Sequence, residues 1–201
     1  ASRAPARTCG PTPPSLDRTG WAEAGGSTPS GTAWARDNQD SALGPTGGRY
    51  MRVNLDCAPI GGAKFLRVNL QGQQYVNFTR TISFGVNAEI GYGKGLGSRP
   101  YPIFKNFYGG GLGTVRGFEQ GSLGPVDVTG AFIGGNRRFN LNNELYLPVP
   151  GAGSDRTLRV FLYADAGNVW GENERIGLDS LRASAGLGVS WVSPVGPLKL
   201  S

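Results

Sequence analysis

Arg116 lies in the run Asn106-Phe107-Tyr108-Gly109-Gly110-Gly111-Leu112-Gly113-Thr114-Val115-Arg116-Gly117-Phe118, a glycine-rich segment far too long for a hairpin turn. Downstream, Glu144 and Asp165 stand alone among apolar and neutral neighbours. A guanidinium fork with two carboxylates can form charge-assisted hydrogen bonds, which hold a structure together but break no substrate bond. Other chemistry is thinly supplied. The chain has no histidine, which removes His-based triads, His-containing zinc sites and the usual general base. Cys9 and Cys57 stand at no metal or redox spacing. The run Gly91-Tyr92-Gly93-Lys94-Gly95-Leu96-Gly97 meets neither GxxxxGK[ST] nor GxGxxG, and no helical pattern follows it. Nucleotide binding is therefore set aside, no cofactor is expected, and the chain is not expected to be an enzyme.

The elements that must position these residues read with period 2. In residues 81 to 92, Ile82, Phe84, Val86, Ala88, Ile90 and Tyr92 share one face, opposite Thr81, Ser83, Gly85, Asn87, Glu89 and Gly91. Residues 181 to 192 alternate likewise, with Leu181, Leu187, Val189 and Trp191 opposite Arg182, Ser184, Gly186 and Gly188. Residues 136 to 147 set Phe139, Leu141, Leu145 and Leu147 against Arg138, Asn140, Asn142, Glu144 and Tyr146, with Asn143 the polar exception on the apolar side. Residues 158 to 170 set Leu158, Val160, Leu162, Ala164 and Ala166 against Arg159, Phe161, Tyr163 and Asp165. Strands at 49 to 58 and 65 to 76 repeat the pattern, and a weaker one is expected at Thr32 to Arg36.

Composition agrees with strands that cross a membrane. The 201 residues are 38% hydrophobic with 34 glycines, and no stretch is long and apolar enough for a spanning helix. Strands of a membrane barrel hide their polar residues in the lumen, so a low average hydrophobicity is compatible with one face in lipid. The faces opposite the apolar ones carry Arg, Asn, Gln and Glu, a poor match for a soluble sandwich. The net charge of +6 is scattered and does not alternate with aromatics as a nucleic-acid groove would, so no nucleic-acid partner is expected. Short links near residues 77–80 and 193–197 alternate with longer ones at 93–135 and 171–180, as turns on one rim and loops on the other would.

The expected fold is an all-β, antiparallel transmembrane β-barrel, partial, with about seven strands plus a stub at Leu198 to Ser201. Residues 1–30, with Pro11 to Pro14 and Gly25-Gly26, read as a disordered or non-native leader without a visible signal peptide, and 31–201 as the barrel domain. The segment 93–135 is read as a long loop, long enough to fold back inside the barrel. By parity Glu144 and Asp165 both face the lumen on consecutive strands, where they are either merely solvated or partners of Arg116. Likewise the loop is either an ordinary flexible connection or a functional one; its length and its aromatics, among them Tyr101, Phe104, Phe107 and Tyr108, favour the second.

Val115-Arg116-Gly117-Phe118, with Phe107-Tyr108 and the glycines between, resembles the signature loop of BamA-like outer-membrane assembly factors, the bacterial surface antigen superfamily. Asn143-Glu144-Leu145 before Pro148-Val149-Pro150 is similar to the family's glutamate strand, and Ala164-Asp165-Ala166-Gly167-Asn168-Val169-Trp170 to its aspartate strand. Ser184-Ala185-Gly186-Leu187-Gly188, Trp191, Ser193-Pro194 and Gly196-Pro197-Leu198 resemble the strand and turn that follow, and Arg36-Asp37, Pro45-Thr46 and Gly48-Arg49 an earlier periplasmic turn. The resemblance covers roughly residues 30 to 201 and implies the incomplete C-terminal half of a 16-stranded barrel in the bacterial outer membrane. It implies that the loop enters the barrel and that Arg116 meets Glu144 and Asp165 there. It further implies a parent protein that folds and inserts outer-membrane client proteins, by thinning the bilayer and templating client strands at a lateral seam, with assembly-complex lipoproteins and the lipid bilayer as partners. The family's periplasmic domains, first strands and last strand lie outside this sequence, so this stretch alone is not expected to be active. Competing functions are a related two-partner secretion or translocation barrel, a passive porin, and an outer-membrane phospholipase or protease, the last weakened by the missing histidine.

Overall fold

The computed structural model describes residues 30–40, 47–60, 63–79, 81–97, 99–149, 158–193 and 196–201. The leader reading for 1–30 and the position of Cys9 lie almost wholly outside them. Among the described residues eight antiparallel strands form one open sheet in which each strand pairs with the next in sequence. They are β1 (Ser30–Asp37), β2 (Gly48–Ala58), β3 (Phe65–Asn77), β4 (Ser83–Gly95), β5 (Arg137–Pro148), β6 (Leu158–Trp170), β7 (Arg182–Ser193) and β8 (Gly196–Leu200). The strands from β2 to β7 have 11 to 13 residues, enough for a tilted crossing of a hydrocarbon core about 30 Å thick. Among the described residues no helix is long and apolar enough to cross a membrane. Seven full strands and the five-residue β8 match the expected partial barrel.

Both ends of β4 differ from the periodic reading, whereas the other strand ends match it to within two residues. Thr81 and Ile82 belong to a turn, where Ile82 N donates to Thr79 Oγ1 (3.0 Å) and Phe78 N and Thr79 N donate to the Ile82 carbonyl. At its other end β4 continues through Gly95, because Gly93, Lys94 and Gly95 pair with Arg67, Leu66 and Phe65 of β3. The long loop therefore runs over 96–136.

The register settles which side faces what. Among the residues whose side chains are described, every large hydrophobic that is exposed within a strand, from Trp34, Met51 and Leu55 through Ile90 and Leu162 to Leu187, Trp191 and Leu200, falls on one side of the sheet. An apolar surface of this extent belongs against lipid. Free Cys57 lies on the same side. Asn143, the polar exception there, donates from Nδ2 to the Ala164 carbonyl of β6 (3.3 Å), which lowers the cost of its position. The concave side carries Arg67, Asn69, Glu89, Arg138, Asn142, Glu144 and Asp165. Its aromatics find room over glycines: a Cβ on Gly186 would come within 2.6 Å of Tyr163 Oη, and one on Gly188 within 2.5 Å of Phe161 Cζ.

Candidate functional site: the loop inside the sheet

The loop is ordered by its own backbone and then by the wall. Bridges join Phe107 to Gly135, Gly109 to Leu123 and Val126 to Phe132, so that 96–136 doubles back on itself. Its first part is fixed through Tyr101, which is buried edge-on against Phe65 (centroids 6.2 Å apart, planes at 90°) and donates from Oη to the Lys105 carbonyl at 2.9 Å. Burial pushes its hydroxyl up to about 12. The tip is a tight turn: Gly110 N donates to Thr114 Oγ1 (2.7 Å) and Gly111 N to the Val115 carbonyl (3.1 Å). Gly117 follows Arg116 with φ +82°, a left-handed conformation that glycine adopts without a Cβ penalty.

This turn delivers Arg116 to the concave face. Its Nε and Nη2 donate to Asp165 Oδ2 and Oδ1 at 2.6 and 2.7 Å, and its backbone N–H adds a bond to Oδ2 at 3.2 Å. Nη1 donates to Glu144 Oε1 at 2.7 Å. In the β5–β6 register Asp165 pairs with Asn142 and Glu144 with Tyr163, so the two carboxylates are diagonal neighbours, spaced for a single fork. Arg116 is 4% exposed and Asp165 2%, which makes the set a desolvated ion triad in which geometry must offset burial. Of the motif residues, Val115 is fully buried, Phe118 half-buried and Gly117 exposed.

Several members of the site were not singled out from sequence. Tyr163 lies under the guanidinium, 4.0 Å from its ring centroid to Cζ, with Phe161 at 5.8 Å. Lys199 of β8 donates to Glu144 Oε1 (2.5 Å), and Tyr146 to Oε2 (2.6 Å). Asn142 donates to the Thr114 carbonyl. Strands β5 and β8 are three apart, about 14 Å in a flat sheet, so the Lys199 contact exists because the sheet curls. The missed signal was parity: Lys199 pairs with Ser190, which the alternation of β7 places on the polar face.

A second anchor lies toward the loop-bearing rim. Phe107, 1% exposed, is held between two guanidinium groups, with Arg67 Cζ 4.4 Å and Arg138 Cζ 5.2 Å from the ring centroid. Arg67 pairs with Asp56 (3.6 Å), and Arg138 bonds Glu89. Beneath the ring is Gly91, where a Cβ would approach Phe107 Cε1 to 2.7 Å. The loop thus inserts a cation between anions at one point and an aromatic ring between cations at the other. Among the described residues no cluster of His, Cys, Asp and Glu is arranged to hold a metal.

A curved antiparallel sheet with lipid-facing apolar residues, a polar concavity and a long loop latched into it by arginine defines a class: outer-membrane barrels with an inward loop. Residues 26–201 match the profile of the Omp85 superfamily domain, and the chain belongs to that superfamily. It is 37% identical, over 84% of its length, to the outer membrane protein assembly factor BamA of Neisseria meningitidis serogroup B, and covers 25% of that protein. Identity to a SAM50-like protein of Schizosaccharomyces pombe is 29%, over 84% of this chain and 38% of the relative. The crystal structure of BamA from Haemophilus ducreyi lacking POTRA domains 1-3 superposes with a TM-score of 0.76 at 25% identity, over 86% of this chain and 37% of that one. The chain thus spans well under half the length of these relatives, and it is a bacterial outer-membrane protein.

Proposed function

We propose that this chain is the C-terminal barrel part, residues 31–201, of an assembly factor that folds outer-membrane proteins and inserts them into the bilayer. The observation that carries the reading is the Arg116 fork on Asp165 and Glu144, which spends two desolvated carboxylates on holding a loop and leaves neither of these two free for substrate chemistry. In this reading Val115, Arg116, Gly117 and Phe118 form the latch segment, with Glu144 and Asp165 as its lumenal partners. The latch is a stabilising device, the protein is not an enzyme, and no cofactor takes part. Its partners are unfolded outer-membrane client proteins, the surrounding bilayer and assembly-complex lipoproteins. Support comes from the fold, the superfamily and the assembly-factor relatives.

The test is reconstitution of the full-length protein in vesicles, with folding of an added client barrel followed by its heat-resistant migration. Wild type should accelerate client folding, and Arg116→Ala should lower that rate while the barrel itself stays folded. A wild-type protein that conducts ions but leaves client folding at the empty-vesicle rate would sink the assembly reading in favour of a porin.

A further inference from the structure

The lipid-facing side carries a built feature that the latch does not explain. Ile90, Tyr92, Phe139 and Trp170, at the ends of β4, β5 and β6 nearest the long loops, form one wall of a groove of about 500 Å³, and Ile176 and Leu181 close it from the loop 171–181. That loop is fastened outward over the sheet. Trp170 Nε1 donates to Ser180 Oγ (2.8 Å), Ser180 Oγ donates to the Gly177 carbonyl (2.7 Å), and Asn168 Nδ2 donates to the Ser180 carbonyl (2.8 Å). Arg137 ties the loop's start, with Nη2 donating to the Gly171 and Glu172 carbonyls. The groove is therefore an overhung slot, in the size range of small-molecule sites, rather than flat barrel wall.

The charged residues that line it, Arg137 and Arg138, are both cations, while the Asp179 carboxylate stands beside the lining Gly177. Arg137 pairs with Tyr92 in the β4–β5 register, so Lys94, two residues on and exposed, is its diagonal neighbour on the same face. Arg137 Nη1 has no hydrogen bond among the described residues, and Lys94 has no ion pair there. The nearby Glu174 turns its carboxylate to the Gly171 N–H (2.7 Å). Tyr92, exposed on the lipid-facing side, stands at the level at which aromatics of membrane barrels meet the head groups.

An apolar slot that opens to the hydrocarbon, with two cations at the head-group level of the loop-bearing rim, has a bilayer molecule as its occupant. We infer that the groove binds one outer-leaflet lipid whose phosphate leaves it with a net negative charge, an acyl chain along Ile90, Phe139 and Ile176 and the phosphate between Arg137 and Lys94. The inference rests on the outer-membrane setting of the barrel and is independent of the assembly function.

The experiment is native mass spectrometry of the full-length protein, stripped of lipid in neutral detergent and titrated with dimyristoyl phosphatidylglycerol or dimyristoyl phosphatidylcholine. Wild type should retain one phosphatidylglycerol per protein, bound about tenfold more tightly than phosphatidylcholine. K94Q should abolish that preference. Ile176→Trp, which fills the slot without touching either cation or the hydrogen bonds that fasten the loop, should remove the retained lipid altogether. Heat-modifiable migration of each variant checks that the barrel is intact. Equal retention of the two lipids by wild type, unchanged binding by both variants, or displacement of the lipid by inorganic phosphate alone would each overturn the assignment.

Discussion

Arg116 and Lys199 meet on a single atom: Glu144 Oε1 accepts from Arg116 Nη1 at 2.7 Å and from Lys199 Nζ at 2.5 Å. One residue comes from the inward loop and the other from β8, so this carboxylate couples the loop to a strand three positions along the sheet. Glu144→Gln should leave Arg116 seated on Asp165 yet leave both cations short of an anion. Protease cleavage of the loop in the full-length protein should rise modestly for Glu144→Gln and strongly for Asp165→Asn.

Arg116→Ala is expected to cost about 3–5 kcal/mol of local loop stability, the range for breaking a buried ion set from one side. Arg116→Lys should recover little, since an ammonium cannot span Asp165 Oδ1, Asp165 Oδ2 and Glu144 Oε1 together. Amide hydrogen exchange across 107–118 checks both; protection of the lysine variant equal to wild type would contradict the fork geometry.

Phe107→Leu keeps an apolar side chain but removes the ring from between Arg67 and Arg138, and should destabilise the loop by about 1–2 kcal/mol. Because Phe107 and Arg116 anchor one connected segment, the double variant with Arg116→Ala should be non-additive by at least about 0.5 kcal/mol. Urea-dependent protease susceptibility of the four forms measures the coupling.

Glycines of the motif should separate by cause. Gly113 has open space around a Cβ and an ordinary φ, so Gly113→Ala should be neutral. Gly117→Ala also meets no close atom, its nearest being Ser184 Cβ at 3.7 Å, but φ +82° should cost about 1 kcal/mol. Gly167→Ala should be the worst, because its Cβ would lie 2.6 Å from the Phe139 carbonyl oxygen and 2.9 Å from Val115 Cγ2. Thermal heat-modifiability should rank the three in that order.

At the loop's outer end, Asp127 Oδ1 accepts from Thr129 Oγ1 (2.5 Å), Thr129 N (2.6 Å) and Ala131 N (3.2 Å). The Thr129 hydroxyl first, and then the backbone donors, hold its carboxyl below the usual value. A depressed folded pKa stabilises above the unfolded value and loses that contribution as pH falls through the folded one. Order of 127–131 should therefore be constant at neutral pH and fade below about pH 4, while Asp127→Asn should show no such acid step. Amide exchange of Thr129 and Ala131 against pH reads it out.

Much of the architecture was legible because a barrel strand obeys two solvents at once. Alternation in residues such as Leu158, Val160 and Leu162 against Arg159, Phe161 and Tyr163 indicates strand, length and sidedness together. Boundaries were less legible where turn chemistry takes over, as at Ile82, or where glycines continue a ladder without a side chain to show it, as at Gly93 and Gly95. Tyr163 and Phe161 were visible on the polar face, but their role as a surface under Arg116 depends on an orientation that parity does not contain.

By itself the sequence determined the strand periodicity, the lipid and lumen sides, and a loop whose arginine precedes a glutamate and an aspartate on two successive strands. These follow from local alternation and residue type, which act within a few residues. Only the tertiary structure decided that Asp165 takes two guanidinium nitrogens and Glu144 one. It also decided that Lys199 reaches the same carboxylate and that Phe107 sits between Arg67 and Arg138. Those contacts depend on register, diagonal offset and the curl of the whole sheet, which arise from pairing between residues far apart in the chain.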